Sequence, residues 1–207
     1  MSASLSNAIL KINNKLILDE VSLNIPANKT TVLLGKNGSG KTSILRCLNL
    51  LQKINSGSLD AFDLKPIPML FQKPIILSGN AFYNFSILVK IKNFNPNLDW
   101  HDAFDLRKNH NQNISDLSGG ERQKVFLSRL MSLSPPTIIM DEPNQNLDFQ
   151  SEKTLVELLH IEKKKNKTIV LTLHDYNIAR EIADNIVLLD QGKIILNETK
   201  SNFFKKL

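Results

Sequence analysis

Eight residues, Gly35 to Thr42, read G-K-N-G-S-G-K-T and match the pattern G-x-x-x-x-G-K-T. This spacing is typical of a phosphate-binding loop, which works only between a strand and a helix. The apolar run 31–34 suits a buried strand before the loop, and residues 43–51 suit a helix after it. A chance match is the alternative, and the flanking strand and helix argue against it. The sequence therefore predicts that backbone amides of this loop bind phosphate at the positive end of a helix.

Three more polar side chains, Gln72, Asp141 and His174, each follow a short apolar run that predicts a strand. Strands that alternate with helices indicate a parallel α/β core, and such sheets bind ligands where the strands end. The pair Asp141-Glu142 could supply a carboxylate for Mg²⁺ and a base for the attacking water. The alternatives are a capping role for the acids, a loop amide for Gln72 and a core histidine for His174. The shared position at strand ends favours one active site.

A second anion-binding device lies at residues 117–123, which read L-S-G-G-E-R-Q. Ser118 and the two glycines after it would expose a hydroxyl and amides at a helix start. One nucleotide needs one phosphate cradle, so the second is expected to face a γ-phosphate held by another subunit. The alternative is a capping box between Ser118 and Glu121, and both roles can hold together.

Composition places the chain among soluble globular proteins, with 42% hydrophobic and 22% charged residues in 207. No apolar run approaches the roughly 18 residues of a membrane helix, and the start lacks the pattern of a signal peptide, so we expect a cytosolic protein. The single cysteine, Cys47, excludes an internal disulfide and is expected in the core. The net charge of +6 permits nucleic acid, anionic lipid or a nucleotide as partner. The densest run of charged residues, 162–167, is better explained as a solvated helix end.

The rest of the sequence predicts further elements. A hairpin is expected around Asn13-Asn14, a turn at 54–58 and a mostly helical insertion at 80–116. Residues 149–165 read as an amphipathic helix, with Ile161 among its inward residues.

The chain resembles the ATP-binding subunit of ABC transporters over nearly its whole length. The motifs occur in that family's order: the phosphate loop 35–42, Gln72, the signature 117–123, Asp141-Glu142, Leu147-Asp148 and His174. The resemblance implies an α/β fold: a phosphate-loop NTPase core with a parallel sheet, an N-terminal antiparallel β-subdomain and a small inserted helical subdomain. We expect one domain, 1–207, with the nucleotide-binding core at 1–72 and 134–207 and the helical signature subdomain at 73–133.

The resemblance also implies roles for individual residues. Two copies would enclose two ATP molecules head to tail, and Asp148 would cross the dimer interface. The residues implied to bind ATP are Gly35, Lys36, Asn37, Gly38, Ser39, Gly40, Lys41, Thr42, Ser43 and Ile12, with Ser118, Gly119 and Gly120 of the second copy. The implied catalytic residues are Glu142 as general base, His174 at the γ-phosphate and Gln72 as reporter of nucleotide state. The implied Mg²⁺ residues are Thr42, Gln72 and Asp141.

Two departures from the family pattern affect these expectations. Members usually stack adenine on an aromatic residue before the phosphate loop, whereas here none occurs before Phe62. Ile12 falls near that place and offers only apolar contact. Residues 144–146 read Asn-Gln-Asn where small residues are commoner, which would retune the dimer interface.

The expected function is the ATPase of an importer at the cytoplasmic face of the cell membrane. Its partners would be transmembrane permease subunits, a second copy and, indirectly, a solute-binding protein, with no nucleic acid. The stretch 71–77 resembles importers of oxyanions such as phosphate and tungstate, with amino-acid importers close behind. One rival is a soluble ABC ATPase acting on ribosomes or DNA, which usually carries two cassettes or a coiled coil. Another is a non-hydrolysing regulatory module, against which the intact Lys41, Asp141, Glu142 and His174 argue.

Overall fold

The main sheet holds six strands in a computed structural model that describes residues 1–63, 65–93 and 95–206. The strands are β3 (Thr30–Leu34), β5 (Met69–Leu70), β6 (Thr137–Asp141), β7 (Thr168–Leu173), β8 (Asn185–Asp190) and β9 (Lys193–Thr199). Their order is β5-β6-β7-β3-β8-β9, and only β9 runs antiparallel to its neighbour. The parallel strands β5, β6, β7 and β3 therefore all end at the same edge of the sheet.

A second, antiparallel sheet packs beside the phosphate loop. It contains β1 (Ala3–Ile12), β2 (Lys15–Ile25) and β4 (Ser56–Asp60) in the order β2-β1-β4. The predicted hairpin at Asn13-Asn14 is confirmed, since both residues have positive φ, 49° and 62°. The predicted turn at 54–58 is wrong from Ser56 onward, because that residue begins β4. This strand has only one apolar side chain, so pairing with β1 rather than a hydrophobic pattern defines it.

Seven α-helices complete the described part of the chain. They are α1 (Lys41–Leu48), α2 (Ala81–Lys92), α3 (Asp99–Ala103), α4 (Gly119–Met131), α5 (Phe149–Lys164), α6 (Tyr176–Ile182) and α7 (Lys200–Lys206). Short 3-10 turns at Leu106–Asn109 and Ile114–Asp116 join α3 to α4. None of the helices in the described ranges is long and apolar enough to cross a membrane.

One inward position of α5 was predicted wrongly. Ile161 is 47% exposed, whereas its neighbour Glu162 is 2% exposed. Lys165 and Lys167 both pair with the Glu162 carboxylate. Because two lysines satisfy this carboxylate, the polar residue occupies the buried side of the last turn and the isoleucine faces solvent.

The helical insertion shares its hydrophobic core with the main sheet. Trp100 of α3 and Phe126 of α4 belong to the same buried cluster as Val32 of β3 and Met140 of β6. The mostly helical character predicted for 80–116 is confirmed. The α/β fold class with its small antiparallel sheet is also confirmed, whereas the subdomain boundaries at 72/73 and 133/134 stay a prediction. Cys47 is buried, as expected, in a second hydrophobic cluster that lies under the antiparallel sheet.

Two histidines meet inside the helical insertion. The Nε2 atoms of His101 and His110 lie 2.8 Å apart, and His101 is only 2% exposed. Burial lowers the pKa of both rings; at His101 the Asp102 carboxylate opposes this effect, and the Arg107 charge adds to it. The segment that carries this pair precedes α4 in the chain. It is also hydrogen-bonded to that helix, since Asn109 Nδ2 donates to Glu121 Oε1 at 3.2 Å.

Mild acid is expected to destabilise the protein through this pair. In the unfolded chain these histidines bind protons near the ordinary histidine pKa of about 6.5, whereas in the folded protein their pKa is lower. Their contribution to the free energy of unfolding is therefore fully present above about pH 6.5 and is lost as the pH falls below it, because the unfolded chain then binds more protons. Urea unfolding at pH 7.5 and 5.5 should give a smaller free energy of unfolding at pH 5.5. His101→Phe should reduce this difference more than His160→Gln on α5 does. An unchanged difference in His101→Phe would contradict the assignment.

Candidate active site

The phosphate loop follows β3 and leads directly into α1, as predicted. Gly35, Gly38 and Gly40 have φ values of 146°, 77° and 106°, which favour glycine. At Gly35 a Cβ atom would lie 2.3 Å from the carbonyl oxygen of Leu189 in β8, so a side chain has no room. The loop therefore lies tightly against the sheet, with its amides at the N-terminus of an eight-residue helix.

Lys41 is folded onto its own loop. Its Nζ atom donates to the carbonyl oxygens of Gly35 at 2.7 Å and Lys36 at 3.0 Å. Burial lowers the pKa of this lysine, and the nearby charges of Glu142 and Asp141 oppose that effect. Lys41 as a whole is 5% exposed, and its charge lies near two acidic residues at the loop predicted to bind phosphate.

Two carboxylates occupy the end of β6. Asp141 is 1% exposed and its Oδ2 atom accepts a hydrogen bond from the Thr42 hydroxyl at 2.8 Å. Glu142 accepts from Gln72 Nε2 at 3.0 Å through Oε2, and its Oε1 lies 2.8 Å from His174 Nε2. The strand order brings these residues together, since β5, β6, β7 and β3 lead into Gln72, Asp141, His174 and the loop. The structure thus brings the residues of the predicted site together at the strand ends, whereas their roles stay a prediction.

A cavity of about 640 Å³ opens over the phosphate loop. Its described lining comprises residues 37–43, Gln72 and Glu142, together with Lys15, Leu16, Ile17, Gln191 and Gly192. Ile12 is not among these residues and is 39% exposed, so its contact with adenine stays a prediction. The structure instead offers Leu16 and Ile17 of β2 as the apolar wall near the loop. The sequence alone carries no signal for this wall, because it depends on how β2 lies over the phosphate loop.

The signature residues lie apart from this cavity. Ser118 caps α4 in a complete capping box, with Oγ accepting from Glu121 N at 3.2 Å and Glu121 Oε2 accepting from Ser118 N at 2.9 Å. These bonds hold the pKa of Glu121 below its usual value. Ser118, Gly119 and Gly120 are absent from the described cavity lining, and Ser118 is exposed. The two segments that the sequence predicts to bind anions therefore lie apart in this chain.

Asp148 caps α5. Its Oδ1 atom accepts from the amide and the hydroxyl of Ser151, each at 2.7 Å, and these bonds lower its pKa. Lys124 of α4 lies 3.6 Å from the other carboxylate oxygen. Asp148 thereby fixes the loop before it, which packs against Gly119 and Gly120 through Asn146.

Mg²⁺ prefers oxygen ligands and keeps several waters, so it commonly binds through one or two protein oxygens and substrate phosphates. The Thr42 hydroxyl and the Asp141 carboxylate, 2.8 Å apart beside the phosphate loop, are such ligands, and Gln72 lines the same cavity. No group of three or more His, Cys, Asp or Glu side chains forms a metal site by itself within the described ranges. The donor set therefore fits a Mg²⁺ ion that arrives with a nucleotide.

A strand, phosphate loop and helix beside a hydroxyl–carboxylate pair and a second carboxylate define a phosphate-loop nucleoside triphosphatase. A family model described as ABC transporter matches residues 18–145, more than half of the chain. The chain belongs to the ABC transporter family, whose ATP-binding cassettes are ATP hydrolases.

Curated relatives are identical to this chain at about a third of the aligned positions. The methionine import ATP-binding protein MetN of Francisella tularensis is 32% identical over 203 residues, which cover 87% of this chain and 58% of that protein. The probable iron chelatin transport ATP-binding protein of Helicobacter pylori is 31% identical over 220 residues, covering 95% and 86%. The chain thus spans about three fifths of the MetN relatives it matches.

Solved structures confirm the cassette fold. An ATP-binding subunit of an ABC transporter superposes with a TM-score of 0.86 at 18% identity, covering all of this chain and 93% of the other. A dimeric cassette in a post-hydrolysis state, bound to ADP and Pi, superposes with a TM-score of 0.84 at 24% identity, covering 96% and 98%. At these identities the likeness concerns the fold.

Proposed function

We propose that this chain is the ATPase subunit of an ABC importer, bound to permease subunits at the cytoplasmic face of the membrane. The observation that carries this proposal is the hydrogen-bonded network in which Gln72 and His174 both hold the Glu142 carboxylate beside the phosphate loop. A base within reach of a bound γ-phosphate is what a hydrolase needs and a purely regulatory nucleotide-binding module does not.

Hydrolysis in this proposal depends on positioning and charge. Lys41 would exchange its bonds to loop carbonyls for bonds to the β- and γ-phosphates. Glu142 would accept the proton of the attacking water, and His174 would hold the γ-phosphate end of the site. Preorganised donors of this kind stabilise the charge of the transition state without covalent chemistry.

Mg²⁺ would be held by Thr42 and Asp141, with Gln72 as a further oxygen ligand. When bound, the ion supplies charge neutralisation for the phosphate oxygens. The chain's own contribution is orientation, because the Thr42 hydroxyl and the buried Asp141 carboxylate are already in contact.

A second copy of the chain is required to complete each site. The capped N-terminus of α4, with Ser118, Gly119 and Gly120, is a phosphate-binding device that its own cavity does not use. Placed head to tail, two chains would bring each signature to the ATP bound by the other. The resemblance in fold to a dimeric cassette supports this arrangement.

The permease is expected to dock in an apolar groove beside Gln72. A cavity of about 430 Å³ is lined by residues of 67–77, α2 and α4. Ile75 and Ile91 at this groove are 72% and 73% exposed, and Lys92 and Arg129 add positive charge. An amphipathic permease helix with an acidic flank suits such a groove. The groove includes Phe71, so a docked helix would lie one residue from Gln72, the expected reporter of nucleotide state.

Purification of the tagged chain from native membranes in mild detergent tests the proposal. We expect a multi-span permease to be recovered with the chain and ATP to be hydrolysed. Ile91→Glu should abolish recovery of the permease and leave basal ATP hydrolysis within about twofold, because surface substitutions away from special features change stability little. Ile195→Glu on β9, where the isoleucine is 55% exposed, is the matched control. Recovery with ribosomes or nucleic acid instead would favour the rival soluble ABC ATPase.

The cargo is a separate matter from the ATPase site. The relatives' names mention methionine and iron chelatin, so they do not support the oxyanion that residues 71–77 suggested. A solute-binding protein as an indirect partner and the expected absence of nucleic acid stay predictions. The permease recovered in the experiment above would identify the cargo class.

A further inference from the structure

Thr172 joins the two acidic residues of the site from the interior of the sheet. Its Oγ1 atom donates to Asp141 Oδ1 at 2.7 Å and accepts from the backbone amide of Glu142 at 2.8 Å. The residue is 0% exposed on β7, the strand next to β6. A threonine hydroxyl has one proton to donate, so its orientation is fixed by the Asp141 carboxylate.

The backbone of Glu142 needs this support. Its φ is +51°, in the left-handed region that non-glycine residues seldom adopt and that persists only where the surroundings enforce it. The Thr172 hydroxyl is the acceptor for the amide of this residue. The same backbone conformation directs the Glu142 carboxylate to Gln72 and His174.

We propose that Thr172 is a positioning residue for ATP hydrolysis. It fixes one oxygen of Asp141 while Thr42 holds the other, and it holds the amide of Glu142 so that the carboxylate stays over the cavity. Thr172 lies behind both carboxylates and is absent from the described lining of the cavity, so it acts through Asp141 and Glu142. This inference rests on the proposed function, because the two acidic residues matter only if the site hydrolyses ATP.

The sheet contains a matched control for this hydroxyl. Thr137 lies at the start of β6, the strand that ends at Asp141, and is also 0% exposed. Its Oγ1 atom is buried without a hydrogen-bond partner. Thr137→Val and Thr172→Val therefore make the same chemical change on adjacent strands, and only the second removes hydrogen bonds.

The experiment compares Thr172→Val, Thr172→Ser and Thr137→Val by steady-state ATP turnover and by hydrogen exchange of the Glu142 amide. Thr172→Val should lower kcat by about tenfold or more, because a buried carboxylate and a buried amide each lose a partner. The KM for ATP should change little, since phosphate binding lies in the loop. The Glu142 amide should also exchange faster. Thr172→Ser should restore both properties, and Thr137→Val should match the unmodified protein.

The two readouts separate the possible failures. A Thr172→Val protein with the kcat of Thr137→Val and a protected Glu142 amide would overturn the inference. Absence of ATP turnover in the unmodified protein would contradict the proposed function, whereas the amide exchange would still report on the hydrogen bond. If Thr172→Val does not fold, Thr172→Cys makes the same comparison, because a thiol is a weak donor and acceptor of similar shape.

Discussion

Glu142→Gln is expected to lower ATP turnover by about 10²- to 10⁴-fold, the usual contribution of a general base. The substitution keeps the shape of the side chain and removes its ability to accept a proton from water. The glutamine oxygen can still accept from one of the two present partners, Gln72 and His174. The loss therefore falls on the chemical step and leaves the phosphate loop intact.

Binding of ATP should survive in this variant. Lys41, Thr42 and the loop amides would form the proposed phosphate site, and the hydrogen bonds of Lys41 and Thr42 go to partners other than the Glu142 carboxylate. Equilibrium binding of a fluorescent ATP analogue and single-turnover hydrolysis would measure the two properties separately. Glu157→Gln, at an exposed position of α5, makes the same change away from the site. Full turnover by Glu142→Gln would show that another group activates the water.

The site could be predicted from the sequence because its residues share one topological property. Gln72, Asp141 and His174 follow strands, and parallel strands that are neighbours in a sheet bring such residues together whatever their distance along the chain. The phosphate loop carries its own glycines, which are required by positive φ values that the structure shows. These features depend on short stretches of sequence and on a common sheet edge, so they can be predicted without knowledge of how side chains pack.

The parts that could not be predicted depend on contacts between distant segments. Thr172 looks like one β-branched residue in an apolar strand, and only the register of β7 against β6 places it opposite Asp141. The apolar wall formed by Leu16 depends on how β2 lies over the phosphate loop. Helix α7 is short and polar, and it is held by Phe203, which packs at 6.4 Å between ring centroids against Tyr176.

Two adjacent glycines, Gly119 and Gly120, provide a test of the proposed dimer. A Cβ atom on Gly119 would lie 3.5 Å from the Asn146 side chain, an ordinary contact. On Gly120 it would lie 2.6 Å from the Asn146 carbonyl oxygen, so the loop that leads to Asp148 would have to move. Gly119→Ala and Gly120→Ala are therefore expected to differ in the stability of the single chain, although both glycines belong to the same signature.

Gly119→Ala should fold with unchanged or slightly higher thermal stability, because alanine is the better helix former by up to about 1 kcal/mol. Gly120→Ala should be less stable by about 1–3 kcal/mol, the usual cost of overpacking. ATP turnover should nevertheless fall strongly in both variants, because in the proposed head-to-tail dimer this segment approaches the ATP of the second copy and a methyl group there, or a shift of the Asn146 loop, would disturb that contact. Thermal unfolding, turnover and ATP-dependent dimerisation in a Glu142→Gln background would measure these effects. A Gly119→Ala protein of normal stability and normal turnover would contradict the head-to-tail arrangement, because that arrangement requires Gly119 to lie at the ATP of the second copy. A Gly119→Ala protein of normal stability and low turnover would support it, because a loss of stability could not then explain the lower turnover.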